Sequence, residues 1–218
     1  MLREAVGCQD QVFAAHGGLN RVEFLKNNEI VVTPISIDSD RIRELSEHLM
    51  LFFTGVSRNA SEVANAYVED LVSKEKQLHR MSDMVGEAVD ILRAGEISRL
   101  GALLHEAWKA KRSLDPRIST PHIDEIYDAA LAAGALGGKL LGAGGGGFFL
   151  VFARPEVQAR IKQALGKLIH VPFHFDFSGS RIVFFDREED FSEVSRHRES
   201  RTIEPFRDAD GPGTRSTQ

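Results

Sequence analysis

The chain contains the stretch Gly142-Ala143-Gly144-Gly145-Gly146-Gly147, which runs directly into the apolar segment Phe148-Phe149-Leu150-Val151-Phe152. Glycine loses more conformational entropy on folding than any other residue, so such a cluster indicates a backbone that needs positive φ or very close approach. A bound phosphate is the usual reason, because successive backbone N–H groups can turn toward an anion where no Cβ intervenes. A flexible linker would continue into polar residues, and this stretch does not.

The order of the predicted helices and strands around the glycines shows which known glycine motifs can be excluded. Residues 121–136 have apolar side chains at helical spacing after the helix start Thr120-Pro121, and residues 148–152 are typical of a buried strand. The predicted order is therefore helix, glycines, strand. A dinucleotide-binding fingerprint has its glycines between a strand and the helix that follows, and a Walker loop needs a Gly-Lys-Ser/Thr that does not follow here. Both motifs are excluded.

The composition excludes several classes of protein. The chain has 218 residues and 42% hydrophobic content, enough for a sizeable core in one domain or two. A net charge of −5 with scattered basic residues argues against a nucleic-acid partner. No apolar stretch is long enough for a membrane span or a signal anchor, and the single Cys8 cannot form an internal disulfide. We therefore expect a cytoplasmic protein without a membrane partner.

Hydrophobic periodicity along the rest of the chain predicts an α+β protein, with helices on one face of a mainly antiparallel sheet. The predicted helices lie at residues 2–15, 38–47, 59–93, 96–113, 121–136 and 155–167. The predicted strands lie at residues 21–25, 30–37, 49–56, 148–152, 171–177 and 181–185. The remaining residues, 186–218, mix charges of both signs with few large apolar side chains, which predicts a disordered tail.

A second chemical signal lies near the start of the chain, in Gly7-Cys8-Gln9-Asp10-Gln11. By residue type alone, an aspartate near a helix start is more often a cap or a solvated carboxylate than a catalytic group. However, a carboxylate close to a glycine-rich backbone segment that binds phosphate can act on a hydroxyl group that receives a phosphoryl group. Together the two segments favour phosphoryl transfer.

These segments resemble the GHMP small-molecule kinases. Residues 142–146 resemble the C-terminal glycine motif of that family, and Gln9-Asp10-Gln11 resembles the segment with the catalytic aspartate of its sugar-kinase branches. Within the family, the chain is most similar to the kinases that act on heptose 7-phosphate. The resemblance implies a ferredoxin-like GHMP C-terminal domain at residues 38–185. Before it would lie a remnant of the N-terminal kinase domain at residues 1–37, and after it the tail at residues 186–218.

The resemblance also implies an activity and its residues: ATP-dependent phosphorylation of the anomeric hydroxyl of a heptose 7-phosphate-like sugar, with fucose or galactose as alternative substrates. Asp10 would be the catalytic residue, and the loop toward the nucleotide would consist of Gly142, Ala143, Gly144, Gly145 and Gly146. Weaker candidates for contact with the sugar phosphate are Gln9, Arg58, Lys111 and Arg112, of which the last three are cationic and suit a dianion. Lys111 and Arg112 would equally suit the C-terminal end of a helix, where basic side chains interact favourably with the helix dipole.

The chain also departs from the family pattern. Family members carry a second loop of the Gly-Leu-Gly-Ser-Ser type around the ATP triphosphate, with an acidic Mg²⁺ ligand in the same region, and these 218 residues contain no such loop. The resemblance therefore implies ATP and Mg²⁺ as cofactors, with their main ligands in the missing region and no metal site within this chain. We expect either a kinase without part of its first domain or an inactive remnant that serves as a binding module. An apolar sheet face left exposed would favour a homo-oligomer.

Overall fold

The computed structural model describes residues 7–55, 74–142, 144–183 and residue 196. The chain divides into two compact units, Met1–Ser180 and Arg181–Gln218, and the elements named here all lie in the first unit. The helices of the described residues are α1 Gln9–His16, α2 Ser39–Glu47, α3 Glu75–Ala94, α4 Ser98–Arg112, α5 Pro121–Ala132 and α6 Pro155–Ala164. The strands are β1 Asn20–Phe24, β2 Ile30–Pro34, β3 Leu49–Phe53, β4 Gly137–Leu140, β5 Phe148–Phe152 and β6 Ile169–His170. The predicted α+β class is confirmed.

The strands form two antiparallel sheets. Strands β1 and β2, both predicted, pair as a hairpin in which Phe24 lies opposite Ile30. Strand β2 ends at Pro34, which has no N–H group to continue the ladder. The second sheet has the order β4-β5-β3-β6, and in its central pair Leu49 lies opposite Phe152. Every pairing in that sheet is antiparallel, as expected.

One face of the four-stranded sheet holds the main core. Met50 and Phe52 of β3 lie on this face with their partners Val151 and Phe149 of β5, and all four are at most 1% exposed. Helices α4, α5 and α6 cover the face with the buried side chains Trp108, Ile123, Ile126, Tyr127 and Ile161. The predicted helical layer is therefore present, and Trp108 belongs to the core.

Strand β4 corrects the sequence analysis, which extends the preceding helix to residue 136 and has no strand before the glycine run. Helix α5 ends at Ala132, and Gly137 begins the strand. A Cβ on Gly137 would overlap the carbonyl oxygen of Gly101 in α4 and lie 2.8 Å from the backbone nitrogen of His105. The position of β4 is therefore fixed by close backbone packing against α4. Because glycine has a low strand propensity, the sequence pattern gives no sign of this strand. The order is helix, strand, glycines, strand.

The predicted strand at residues 171–177 is also wrong, since regular pairing is confined to Ile169–His170. Phe175 packs instead against a cluster that includes Leu45 and Leu92. Phe173 is likewise half-buried, whereas Phe177 is 52% exposed, so the alternation corresponds to partial burial of two side chains in an irregular segment. Residues 181–183 form no strand either, while predicted segments at residues 1–6, 56–73 and 184–185 lie outside the described residues.

The C-terminal end of α1 is fixed by residues 176–180. The N–H of Gly18 donates to the carbonyl of Asp176 at 2.6 Å, and the N–H of Ser180 donates to the carbonyl of Ala15 at 2.9 Å. Gly17 ends the helix with φ +65°, and a Cβ there would overlap the backbone nitrogen of Gly179. Because α1 buries none of its own residues, these contacts hold the helix in place.

Arg41 of α2 caps the C-terminal end of α3. Its guanidinium donates to the carbonyls of Leu92 at 3.1 Å and Ile91 at 2.6 Å, and to that of Gly95. The last carbonyls of a helix lack intrahelical partners, and the helix dipole favours a cation there. We expect Arg41→Met to lower the free energy of unfolding by about 2–3 kcal/mol in urea denaturation.

The matched control is Arg43→Met on the same helix. The Arg43 side chain is exposed, and among the residues that the structure describes it pairs only with Asp40, at 3.0 Å. Because exposed ion pairs contribute little, this change should cost less than about 1 kcal/mol. Equal losses in the two variants would contradict the capping role of Arg41.

Candidate functional site

Residues 142–147, here called the glycine loop, connect β4 to β5. Backbone φ is +73° at Gly142, +133° at Gly144, +78° at Gly145 and +103° at Gly147. Residues with a side chain rarely adopt these angles, so the shape of the loop depends on glycine at these positions. The requirement for positive φ that the sequence indicated is confirmed.

The loop is held on one side by the segment before α5. The N–H of Gly145 donates to the carbonyl of Ile118 at 3.0 Å. A Cβ on Gly144 would lie 2.8 Å from the same oxygen, so only glycine allows this approach. The Gly145 amide therefore holds the loop in place and is not directed at a ligand.

The loop is held on its other side by Thr54, which directly follows β3 and is only 2% exposed. The N–H of Gly147 donates to Thr54 Oγ1 at 3.1 Å, and the N–H of Thr54 donates to the carbonyl of Gly147 at 2.9 Å. Sequence reasoning assigned no role to Thr54. The available signal was a hydroxyl residue at the end of an apolar strand.

Lys111 lies at the first residue of the loop. Its Nζ donates to the carbonyl of Gly142 at 2.6 Å. Burial, and secondarily the charge of Lys139 on β4, lower the pKa of Lys111 from 10.5 to about 8. Burial also lowers the pKa of Lys139. The structure thus brings the predicted Lys111 to the loop and adds a second lysine, to which sequence reasoning assigned no role.

The low pKa of Lys111 predicts a pH-dependent stability. Below about pH 8 the Lys111 ammonium group is protonated in both the folded and the unfolded chain. Burial of this charge then destabilises the folded chain. Between about pH 8 and pH 10.5 the unfolded chain binds more protons, so the contribution of this group to stability rises with pH. We expect the difference in free energy of unfolding, wild type minus Lys111→Met, to increase across that range.

Urea denaturation at a series of pH values measures this difference. Lys109→Met removes an exposed lysine from the same helical turn and controls for the change in net charge. A difference between wild type and Lys111→Met that stays flat from about pH 8 to pH 10.5 would be inconsistent with a desolvated Lys111.

The remaining site residues are distributed more widely. Asp10 lies exposed in the first turn of α1, where its Oδ1 accepts a hydrogen bond from Gln9 Nε2 at 3.3 Å. Arg112 pairs with Asp124 of α5 at 3.3 Å. Within the described residues no hydrogen bond or ion pair joins Asp10 to the glycine loop. Two predicted residues, Arg58 and Ala143, lie outside the described part of the chain.

In the described ranges, no three His, Cys, Asp or Glu side chains group in a way that could hold a metal ion. None of the helices described there is long and apolar enough to cross a membrane.

Comparisons with known proteins point to one family. Residues 88–170 match the model described as GHMP kinases C terminal. A D-glycero-alpha-D-manno-heptose 7-phosphate kinase from Campylobacter jejuni is 30% identical over 164 residues, which cover 74% of this chain and 48% of that protein. A bifunctional fucokinase/GDP-fucose pyrophosphorylase from Arabidopsis thaliana is 28% identical over 160 residues, covering 71% of this chain and 15% of that protein.

A solved structure agrees with this similarity. The crystal structure of a D-glycero-D-manno-heptose 1-phosphate kinase from Bacteroides thetaiotaomicron superposes with a TM-score of 0.58 at 25% identity. The match covers 82% of this chain and 50% of that one. The chain therefore spans about half the length of the heptose phosphate kinases it matches.

Proposed function

The chain carries a GHMP kinase C-terminal domain, and from that premise we propose that it forms, alone or as part of a longer protein, an ATP-dependent sugar kinase. The proposed acceptor is the anomeric hydroxyl of a heptose 7-phosphate-like sugar. The similarity to a heptose 7-phosphate kinase over 74% of the chain supports this acceptor. The reaction would release ADP and the sugar 1-phosphate.

In the proposed reaction, Asp10 orients the anomeric hydroxyl and takes its proton. The hydroxyl oxygen attacks the γ-phosphorus of ATP in line, so that a new O–P bond forms while the bond to the bridging oxygen of ADP breaks. The proton then passes from Asp10 to solvent. Such transfers depend mainly on positioning and charge neutralisation. The exposed carboxylate in the first turn of α1 is accessible for this role.

The observation that carries the proposal is the glycine loop, hydrogen-bonded at Gly145 and Gly147, with an ammonium group at its first residue. Lys111 donates to the carbonyl of Gly142 at 2.6 Å, and the loop is tied down by Ile118 and Thr54. We infer that Gly142, Ala143, Gly144, Gly145 and Gly146 shape the floor between nucleotide and acceptor. Lys111 would meet the phosphate of the sugar.

Other residues have subsidiary roles in the proposal. Gln9 would hold Asp10 through their 3.3 Å hydrogen bond. Arg112 and Arg58 stay second-rank candidates for the sugar phosphate, Arg112 because it is already paired with Asp124. Mg²⁺ bound with ATP would neutralise phosphate charge, but the described residues have no grouping that fits it. No residue of this chain is assigned to the metal.

A second candidate is a binding module that keeps the fold and binds a sugar phosphate without turnover. One observation favours it: the 218 residues contain no loop of the Gly-Leu-Gly-Ser-Ser type. Fucose and galactose are the alternative acceptors for either candidate, and the similarity to a fucokinase supports the first of them.

The test measures turnover and binding on the same preparation. The chain is incubated with Mg-ATP and D-glycero-D-manno-heptose 7-phosphate, and acceptor-dependent ADP is measured, while calorimetry measures binding of the sugar phosphate. ADP formation supports the kinase, and binding alone supports the module. If heptose 7-phosphate, fucose and galactose neither bind nor react, both candidates are wrong.

Lys111→Met separates recognition of the phosphate from recognition of the sugar. Loss of a charge-assisted contact should weaken binding of heptose 7-phosphate by about tenfold and leave the unphosphorylated heptose nearly unaffected. Equal weakening of both ligands would contradict the assignment of Lys111 to the phosphate.

A further inference from the structure

A cavity of about 670 Å³ lies between α1, the β1–β2 hairpin and helices α3 and α4, and none of the described residues of the glycine loop lines it. Its volume is within the range of about 300–1,000 Å³ typical of small-molecule sites. Most of its wall is apolar, with side chains that include Phe13, Met81, Met84, Val85, Leu100 and Leu104. The cavity is large enough for a ligand that the proposed function does not use.

The polar part of the wall is positively charged. It consists of Gln9, Asn20, Arg21 and Lys139, and none of the described residues that line the cavity is an aspartate or glutamate. Arg21 pairs with Glu23 at 2.8 Å, which offsets its charge. The Lys139 side chain, by contrast, has no hydrogen bond or ion pair within the described residues. The cavity therefore contains one ammonium group without a counter-charge.

An unpaired ammonium group in apolar surroundings is costly, and an anion beside it would offset that cost. Burial lowers the pKa of Lys139, which is consistent with such surroundings. The neighbouring Lys111 cannot compensate, because it is also cationic and donates to Gly142. The complementary ligand must carry a negative charge at this point.

The apolar part of the wall favours a ligand with an apolar body. Along α3 and α4 the lining side chains are all apolar, from Met81 to Ala107. A polyol placed there would leave hydroxyl groups without partners, at a cost of about 1–3 kcal/mol each. An alkyl body would instead bury apolar surface on both sides.

We propose that this cavity binds a small amphipathic anion, with its phosphate or carboxylate head at Lys139 and its alkyl body along α3 and α4. The proposal does not depend on kinase activity. Gln9 also lines the cavity and donates to Asp10, so an occupant would contact the hydrogen-bond partner of the proposed catalytic carboxylate.

Calorimetry on the 218-residue chain tests the proposal, with octyl phosphate and octanoate as probes. Octanol controls for the alkyl body, and inorganic phosphate and glucose 6-phosphate control for the charge. We expect at least one amphipathic anion to bind at least tenfold more tightly than all three controls. The tighter of the two identifies the preferred head group.

Variants then locate the ligand. Lys139→Met should weaken binding of the amphipathic anion at least tenfold, whereas Lys139→Arg should retain it. Val85→Trp places a large side chain at the mouth of the cavity, where Val85 is 45% exposed, and should block binding. Leu78→Trp on the same helix changes a residue that does not line the cavity and should leave binding unchanged.

Unliganded stability gives an independent measurement. Because Lys139→Met removes a desolvated charge, we expect a higher thermal midpoint without ligand, so misfolding should not obscure the binding result. The proposal is wrong if Lys139→Met binds as tightly as wild type, if glucose 6-phosphate binds as tightly as octyl phosphate, or if neither amphipathic anion binds. ATP is absent from these measurements, so such results would leave the kinase proposal intact.

Discussion

Replacing Asp10 with asparagine is expected to lower ATP-dependent sugar phosphorylation by about 100- to 10,000-fold. The amide has the shape of the carboxylate but cannot take the proton of the attacking hydroxyl. Asp10 is exposed in the first turn of α1, so Asp10→Asn should leave the fold unchanged. Initial rates of acceptor-dependent ADP formation measure the effect. The assay uses the form of the protein whose wild type phosphorylates the sugar.

The control is Gln11→Ala, which changes an exposed neighbour on the same helical turn and should keep the wild-type rate. Calorimetry should find heptose 7-phosphate binding to Asp10→Asn within about threefold of wild type, because the expected loss lies in the chemical step. An undiminished rate in Asp10→Asn would remove this residue from the mechanism. Retained binding in a protein without turnover would favour the binding module.

Gly137→Ala is expected to lower the free energy of unfolding by about 3 kcal/mol or more. The added methyl group would overlap the carbonyl oxygen of Gly101 and lie 2.8 Å from the nitrogen of His105. Both are backbone atoms of α4, which cannot turn aside as a side chain can. Relief requires β4 to move away from α4, which disrupts the edge of the main core. Urea denaturation measures the loss.

Gly86→Ala provides the matched comparison for Gly137→Ala. Gly86 lies inside α3, and a Cβ there would meet no atom within 4 Å. Alanine favours the helix over glycine, so this variant should gain about 0.5–1 kcal/mol. If both alanines shift stability in the same direction, close packing at Gly137 is not the cause.

Elements with local signals were predictable from the sequence. Helix α2 starts where Asp38 Oδ1 accepts the N–H of Arg41 at 2.7 Å, and α5 starts where Thr120 Oγ1 accepts the N–H of Ile123 at 3.3 Å. Such caps depend on residues three positions apart, so the sequence alone contains them. The apolar run of β5 is equally local.

Elements fixed by distant contacts were not predictable in the same way. Strand β4 depends on the close approach of Gly137 to α4, and residues 171–177 alternate in sequence without pairing as a strand. The site divides similarly. The family resemblance and the positive charge led to Lys111, whereas Thr54 and Lys139 acquire significance only from neighbours that the fold brings to them. Periodicity cannot report such neighbours.

The contact between Gly17 and Gly179 affects how the protein is made on the ribosome. Helix α1 is among the first described segments to be synthesised, yet the backbone hydrogen bonds at its C-terminal end come from residues 176–180. Domains fold as units while synthesis proceeds from the N-terminus. The hydrogen bonds that Asp176 and Ser180 make at the end of α1 can therefore form only after residue 180 has left the exit tunnel, so the final contacts of the helix with Asp10 are made late in synthesis.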